Sequence, residues 1–142
     1  MKNLEQLNSI LLIDDDEINN ILHSVFINKL DLGLEVNTAL NGKEGLDFIL
    51  GDGEVKLELP CMVMLDLKMP IMDGWEFMKS YEESVPKELK DQITIVLVTT
   101  SDNQEDKDRA KSNKFIDDFS QKPLSDDTFR HLIQSHFNLV VI

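Results

Sequence analysis

Short apolar runs alternate with amphipathic stretches along the whole chain. Ser9 to Ile13 is the first run and breaks off in Asp14-Asp15-Asp16. Ile18, Ile21, Leu22 and Val25 follow at the i, i+3, i+4, i+7 spacing of an apolar helix face. Asp31-Leu32-Gly33 ends that helix. Leu34 to Ala39 alternates as a short strand, Asn41-Gly42 marks a turn, and Leu46, Ile49 and Leu50 predict a second helix closing near Gly51. After a polar loop from Gly51 to Pro60, Cys61 to Leu65 is an uninterrupted apolar run that stops at Asp66. Such a run suits a strand covered on both faces. Met69-Pro70 interrupts regular structure, and Asp73-Gly74 precedes a helix bearing Trp75, Met78 and Tyr81, closed by Pro86. Ile93 to Val98 is another buried strand, ending at Thr99-Thr100-Ser101. Phe115 to Gln121 reads as a short strand before Lys122-Pro123, and Phe129, Leu132, Ile133 and Phe137 form a last helical stripe.

One helix departs from this pattern. Asp102 to Asn113 has helical character, yet Asp102 through Arg109 contains no apolar residue. A helix packed on a sheet normally buries a stripe. The segment is therefore expected to be short, displaced or mobile, since few buried contacts mean low local stability.

Five strands alternating with five helices imply a parallel sheet with helices on both faces. Ligands of such sheets bind beyond the carboxyl ends of the strands. The 142 residues suit one domain over 1–142, with a core of about 8–137 and an apolar tail at Leu139-Val140-Val141-Ile142. No output domain is expected.

Charge narrows the function. Lys and Arg number 14 against 27 Asp and Glu, a net charge of −13. That argues against a general nucleic-acid binder, which needs clustered cations, and against adhesion to anionic membranes. The apolar runs are far shorter than the roughly 20 residues of a spanning helix, and the N-terminus lacks a secretory signal. Cys61 is the single cysteine and with three scattered His gives no zinc framework. A cytoplasmic location is the expectation.

The polar residues at strand ends carry the candidate chemistry. Asp14, Asp15 and Asp16 follow the first strand, Asp66 the third, Thr99 the fourth, and the last strand runs into Lys122. A parallel sheet places these ends along one rim. Asp14, Asp15 and Asp66 brought together would repel one another and raise some pKa values unless a cation intervenes. Mg²⁺ suits such a site, preferring oxygen ligands and a phosphate partner. Lys122 supplies a movable positive charge, and the Thr99 hydroxyl can donate or accept a hydrogen bond. These parts suit phosphoryl transfer onto the Asp66 carboxylate.

The sequence resembles the receiver domain of two-component response regulators, particularly the stand-alone chemotaxis type. Four signatures carry the resemblance: Ile10-Leu11-Leu12-Ile13-Asp14-Asp15, the stretch Met64-Leu65-Asp66-Leu67-Lys68-Met69-Pro70-Ile71-Met72-Asp73-Gly74, Val98-Thr99-Thr100-Ser101, and Lys122-Pro123-Leu124. It spans about Asn8 to Phe137 and implies a flavodoxin-like (βα)5 fold with strand order 2-1-3-4-5. It further implies Asp66 as phosphoacceptor, with Mg²⁺ held by Asp15, Asp66 and the backbone carbonyl of Lys68, and by Asp14 acting through metal-bound water. Thr99 matches the switch hydroxyl, with Thr100 the neighbouring alternative. Lys122 matches the phosphate-pairing lysine and Phe119 the switch aromatic. The implied donor is a histidine kinase or histidine phosphotransfer protein, and the downstream target is an unknown protein. Its docking surface is the face of the fourth predicted helix, fifth strand and fifth predicted helix, which also suits a monomer or weak dimer. Such a protein is a switch rather than an enzyme. Lys68 sits at a position that in this family influences phosphate lifetime, so slow self-dephosphorylation is expected.

Two other readings compete. A Mg²⁺-dependent phosphatase of the haloacid dehalogenase type also uses an aspartate nucleophile, but wants a second Asp where Lys68 stands. A degenerate receiver acting only as a binding module would keep the fold without the chemistry. A P-loop hydrolase is excluded because no Gly-x-x-x-x-Gly-Lys-Ser/Thr occurs. Asp16 reads as a helix cap, Met62, Met64, Met69, Met72 and Met78 as core filler, and Cys61 as a small buried residue. His23, His131 and His136 lie on helices with no visible partner.

Overall fold

A computed structural model describes residues 6–51, 56–100 and 103–137. The tail at 139–142 lies outside the described residues, as do Ser101 and Asp102. Five parallel strands form one sheet: β1 (Ser9–Ile13), β2 (Glu35–Ala39), β3 (Cys61–Asp66), β4 (Ile93–Thr99) and β5 (Asp118–Gln121). Their order is β2-β1-β3-β4-β5, the flavodoxin-like order the resemblance implied. β1, β3 and β4 are buried along their whole lengths. That is what their unbroken apolar runs demand of strands covered on both faces.

Six helices are present among the described residues: α1 (Glu17–Lys29), α2 (Gly42–Leu50), α3 (Gly74–Ser84), α4 (Lys87–Lys90), α5 (Gln104–Ser112) and α6 (Asp126–His136). The addition to the expected five is α4, a single turn begun by Pro86, whose preset φ favours a helix start. One core cluster gathers Leu11, Val63, Ile95 and Phe77 on the side of α2 and α3. The other gathers Leu12, Met64, Val96 and Phe129 on the side of α1 and α6. Strand residues alternate between the two clusters because successive side chains point to opposite faces. Met62, Met64 and Met78 are buried as core filler, Met69 and Met72 are half-buried against the first cluster, and Cys61 is fully buried.

The expected apolar face of α1 is corrected by the structure. Ile18, Ile21, Leu22 and Val25 are 76%, 66%, 45% and 45% exposed, and the helix instead buries Asn20, His23 and Ile27. Those three also recur at helical spacing, i, i+3, i+7. Asn20 donates its side-chain amide to the carbonyl of Asp14 at 3.0 Å. His23 packs edge-on against Phe129, ring centroids 5.7 Å apart. These polar contacts fix the rotation of α1 and turn its stronger apolar stripe to solvent.

The polar segment after β4 does form a helix, of nine residues, with Ala110 its one buried residue. The last strand is shorter than expected, starting at Asp118. His136 is corrected as well. It is buried, and its Nε2 lies 2.8 Å from Asp118 Oδ2, tying α6 to β5.

Candidate functional site

The carboxyl ends of β1, β3 and β4 and the exit of β5 meet at one rim. Asp14 and Asp15 follow β1, Asp66 is the last residue of β3, Thr99 the last of β4, and Lys122 follows β5. Carboxylate oxygens of Asp14, Asp15 and Asp66 lie within 4.8 Å of one another. Lys122 reaches across them: its Nζ is 2.7 Å from Asp14 Oδ2 and 3.4 Å from Asp66 Oδ1. These contacts join residues from three separated stretches of chain.

The surrounding backbone holds the set in place. Asp14 receives the amide of Asp16 on Oδ1 at 2.9 Å and donates its own N–H to the carbonyl of Ala39. Asp16 then caps α1, accepting from the amides of Ile18 and Asn19, the role its sequence position suggested. The amide of Lys122 donates to the carbonyl of Thr99 at 2.9 Å, so the lysine loop is bonded to the end of β4. Gly74 starts α3 against the acidic rim. A Cβ there would stand 2.9 Å from the carbonyl oxygen of Asp66, which only glycine avoids.

Burial and charge act in opposite directions on this cluster. Burial, reinforced by the negative charges of Asp14 and Asp15, pushes the Asp66 carboxyl up to about 6 despite the neighbouring Lys122. Burial works against the charge on Lys122, but its contacts with Asp14 and Asp66 outweigh it and hold the ammonium above its usual range. Lys122 is therefore charged at neutral pH and neutralises part of the trio.

The trio keeps an unmet demand for cation. Two of its three carboxylates are buried, one is exposed toward solvent, and among the described residues Lys122 is the ammonium that reaches them. A hard divalent ion with oxygen ligands and room for water fits that donor set. Asp14, Asp15, Asp66 and Lys122 are thus brought together as the sequence suggested.

Thr99 is buried at the end of β4, and Thr100 beside it is exposed. Lys68 is exposed in the loop after β3. Phe119 is not in the pocket: it is half-buried on β5, opposite Leu97, two residues before Thr99.

Three features went unread in the sequence. Asn20 and His23 line a cavity of about 10 Å³ together with Asp14, Asp66 and Lys122. Burial lowers the pKa of His23, with Lys122 acting the same way and Asp14 and Asp16 opposing. Both residues sit on the helix face passed over in favour of the apolar stripe. Ile71 is the third. It is 77% exposed and held at φ +68°, while the amide of Met72 donates to the carbonyl of Pro70 at 2.6 Å. A β-branched residue at the centre of such a tight three-residue turn is strained. No composition signal marks it.

A parallel 2-1-3-4-5 sheet with an aspartate trio and a lysine at its carboxyl rim defines a class of signalling domains. The profile of the response regulator receiver domain matches residues 10–134, and the chain belongs to that family. Two-component response regulator ARR22 of Arabidopsis thaliana is 31% identical over 121 residues, 85% of this chain and 78% of that protein. Hybrid signal transduction histidine kinase B of Dictyostelium discoideum is 28% identical over 94% of this chain, which spans 7% of that kinase. A two-component response regulator from Cytophaga hutchinsonii has the same fold, with a TM-score of 0.78 at 22% identity, covering 92% of this chain and 97% of its own. Receiver domains are signalling modules. Among the described residues no helix is long and apolar enough to cross a membrane.

Proposed function

We propose that this protein is a phosphorylation switch of a two-component system and that Asp66 is its acceptor. The observation that carries the reading is the convergence of Asp14, Asp15 and Asp66 on one another and on Lys122. In the reaction an Asp66 carboxylate oxygen attacks the phosphorus of a phosphohistidine. The new O–P bond forms as the P–N bond breaks, and the departing imidazole takes up a proton. Asp14, Asp15, Asp66 and the backbone carbonyl of Lys68 would hold Mg²⁺, which when bound offsets charge on the phosphoryl oxygens. Lys122 pairs with the same oxygens, exchanging part of its contact with Asp14 for one with the phosphoryl group. The Thr99 hydroxyl then hydrogen-bonds the phosphoryl group, and Phe119 follows on the adjacent strand.

The donor is a histidine kinase or a histidine phosphotransfer protein, in keeping with a relative that is itself a hybrid histidine kinase. Its docking surface is the exposed apolar ridge of α1. Grooves of about 440 and 300 Å³ flank that ridge, the first shared with Leu40 and Glu44, the second with Thr100, Lys122 and Pro123. Large exposed apolar patches on soluble domains mark interaction sites. The phosphorylated domain signals by protein contact through α5, β5 and α6, as a monomer or weak dimer. Lys68, cationic beside the acceptor, slows loss of the phosphoryl group.

Incubation with acetyl phosphate and Mg²⁺, followed by intact mass, separates the readings. A persisting adduct of one phosphoryl group supports the switch. Steady release of phosphate without adduct supports a haloacid dehalogenase-type hydrolase, and no reaction supports a degenerate binding module.

A further inference from the structure

α5 is built without the apolar stripe that seats other helices. From Gln104 to Ser112 it buries Ala110, whose side chain is a single methyl group. Several of its polar bonds are internal: Gln104 donates to Asp108, the Ser112 hydroxyl donates to the carbonyl of Asp108, and Asn103 caps the amide of Glu105. These hold the helix as a helix but do not attach it to the domain. Beside it, toward β5, is a solvent-open groove of about 180 Å³ lined by Ala110, Lys111, Ile116, Asp117, Asp118 and Phe119.

What reaches across to the next helix is a cation. The Arg109 guanidinium lies over the ring of Trp75 on α3, 4.2 Å from its centroid. That is stacking distance for a cation on the face of an indole. Trp75 is half-buried and packs its body against the core cluster, so the ring is a fixed platform. Arg109 itself is exposed.

We propose that the stacking of Arg109 on Trp75 is a latch that keeps α5 seated on α3, and that its release lets α5 move away from Phe119. A helix that buries little apolar surface opens at low cost. A small bias then suffices to shift its population. The latch stands on this packing alone. Only its trigger rests on the proposed phosphorylation of Asp66, because α5 packs on β5, which runs into Lys122 at the acidic rim.

Amide hydrogen exchange across 104–112 tests the latch in the full chain. Arg109→Ala and Trp75→Leu each speed exchange there by about two- to fivefold, the size of an exposed cation–π contact. The double variant is no faster than either single one, because both remove the same contact. Arg109→Lys, which keeps the charge but stacks less well, falls between. Unchanged exchange in Arg109→Ala, or effects that multiply in the double variant, overturns the latch. Trp75 is the single tryptophan, so its emission reports the same contact during phosphorylation. Acetyl phosphate with Mg²⁺ should move wild-type emission and exchange toward those of Arg109→Ala. An adduct that forms without either change overturns the trigger. Failure to form any adduct instead overturns the acceptor role of Asp66, while the variant comparison still decides the latch.

Discussion

α1 and α5 are both poorly explained by hydrophobic burial, and they fail in opposite ways. α1 has ample apolar residues but turns four of them to solvent, burying Asn20 and His23 beside the acidic cluster. α5 has almost nothing apolar, buries Ala110 and stacks the Arg109 cation on Trp75. A helix that served stability alone would do neither. α1 gives up burial to bond the Asp14 carbonyl and presents an apolar ridge next to the acidic pocket. α5 gives up adhesion, which makes it the element most easily moved. One helix has an apolar exterior and the other a polar one, which suits the proposed roles of input surface and moving part.

The largest expected effect lies at the pocket between them. Lys122→Ala should slow adduct formation from acetyl phosphate by about 10²–10³-fold, the usual loss when one charge-stabilising group is removed. Intact-mass time courses measure it. An adduct forming at the wild-type rate would remove the lysine from the chemistry.

Next comes the α1 ridge. Ile21→Asp should lower transfer from a phosphohistidine-bearing donor protein by about 10–100-fold, as for a residue central to an interface. Labelling by acetyl phosphate should stay within about twofold, since the small donor needs no docking surface. Equal losses with both donors would show that α1 acts through the pocket and would collapse the contrast.

The pH dependence of stability is smaller. Burial raises the folded Asp66 carboxyl to about 6, above its ordinary value of 3.8. Between those values the folded state binds more protons than the unfolded one, so metal-free stability should fall as pH rises through about 4 to 6. Asp66→Asn should therefore be more stable than wild type at pH 7 without divalent ions, by about 1–3 kcal/mol. Added Mg²⁺ should shrink the difference. Urea unfolding at two pH values checks both signs.

The smallest effect separates the helices themselves. Ala110→Gly should cost about 1 kcal/mol of local stability in α5, from helix propensity and the lost methyl contact. Hydrogen exchange should speed at 104–112 and stay unchanged in α1. Acceleration spread over both would mean that α5 is not an independent unit.

The fold was largely legible because its strands are unbroken apolar runs, which leave little choice of secondary structure. Cys61 to Leu65 and Ile93 to Val98 are central strands with both faces covered, as read. The acidic rim was legible for the same reason: an aspartate ending a buried strand of a parallel sheet must emerge at one edge. The rotation of α1 was not legible. Two of its three buried residues are polar, and their burial depends on a bond to the Asp14 carbonyl from across a turn. The partner of His136 is on another element, so spacing along α6 cannot reveal Asp118. The stacking of Arg109 on Trp75 was hidden likewise, because the two are 34 positions apart and a charged residue's spacing does not reveal which ring it will cover.

The central claim is that one pocket of three aspartates and a lysine makes Asp66 the acceptor. Peptide mapping of the phosphoryl group after reaction with acetyl phosphate tests it most directly, with and without a chelator of divalent ions. The account predicts the group on Asp66, nearly absent from chelated samples and from Asp66→Asn. Modification at another residue, or equal modification of Asp66 in the chelated protein, would contradict it.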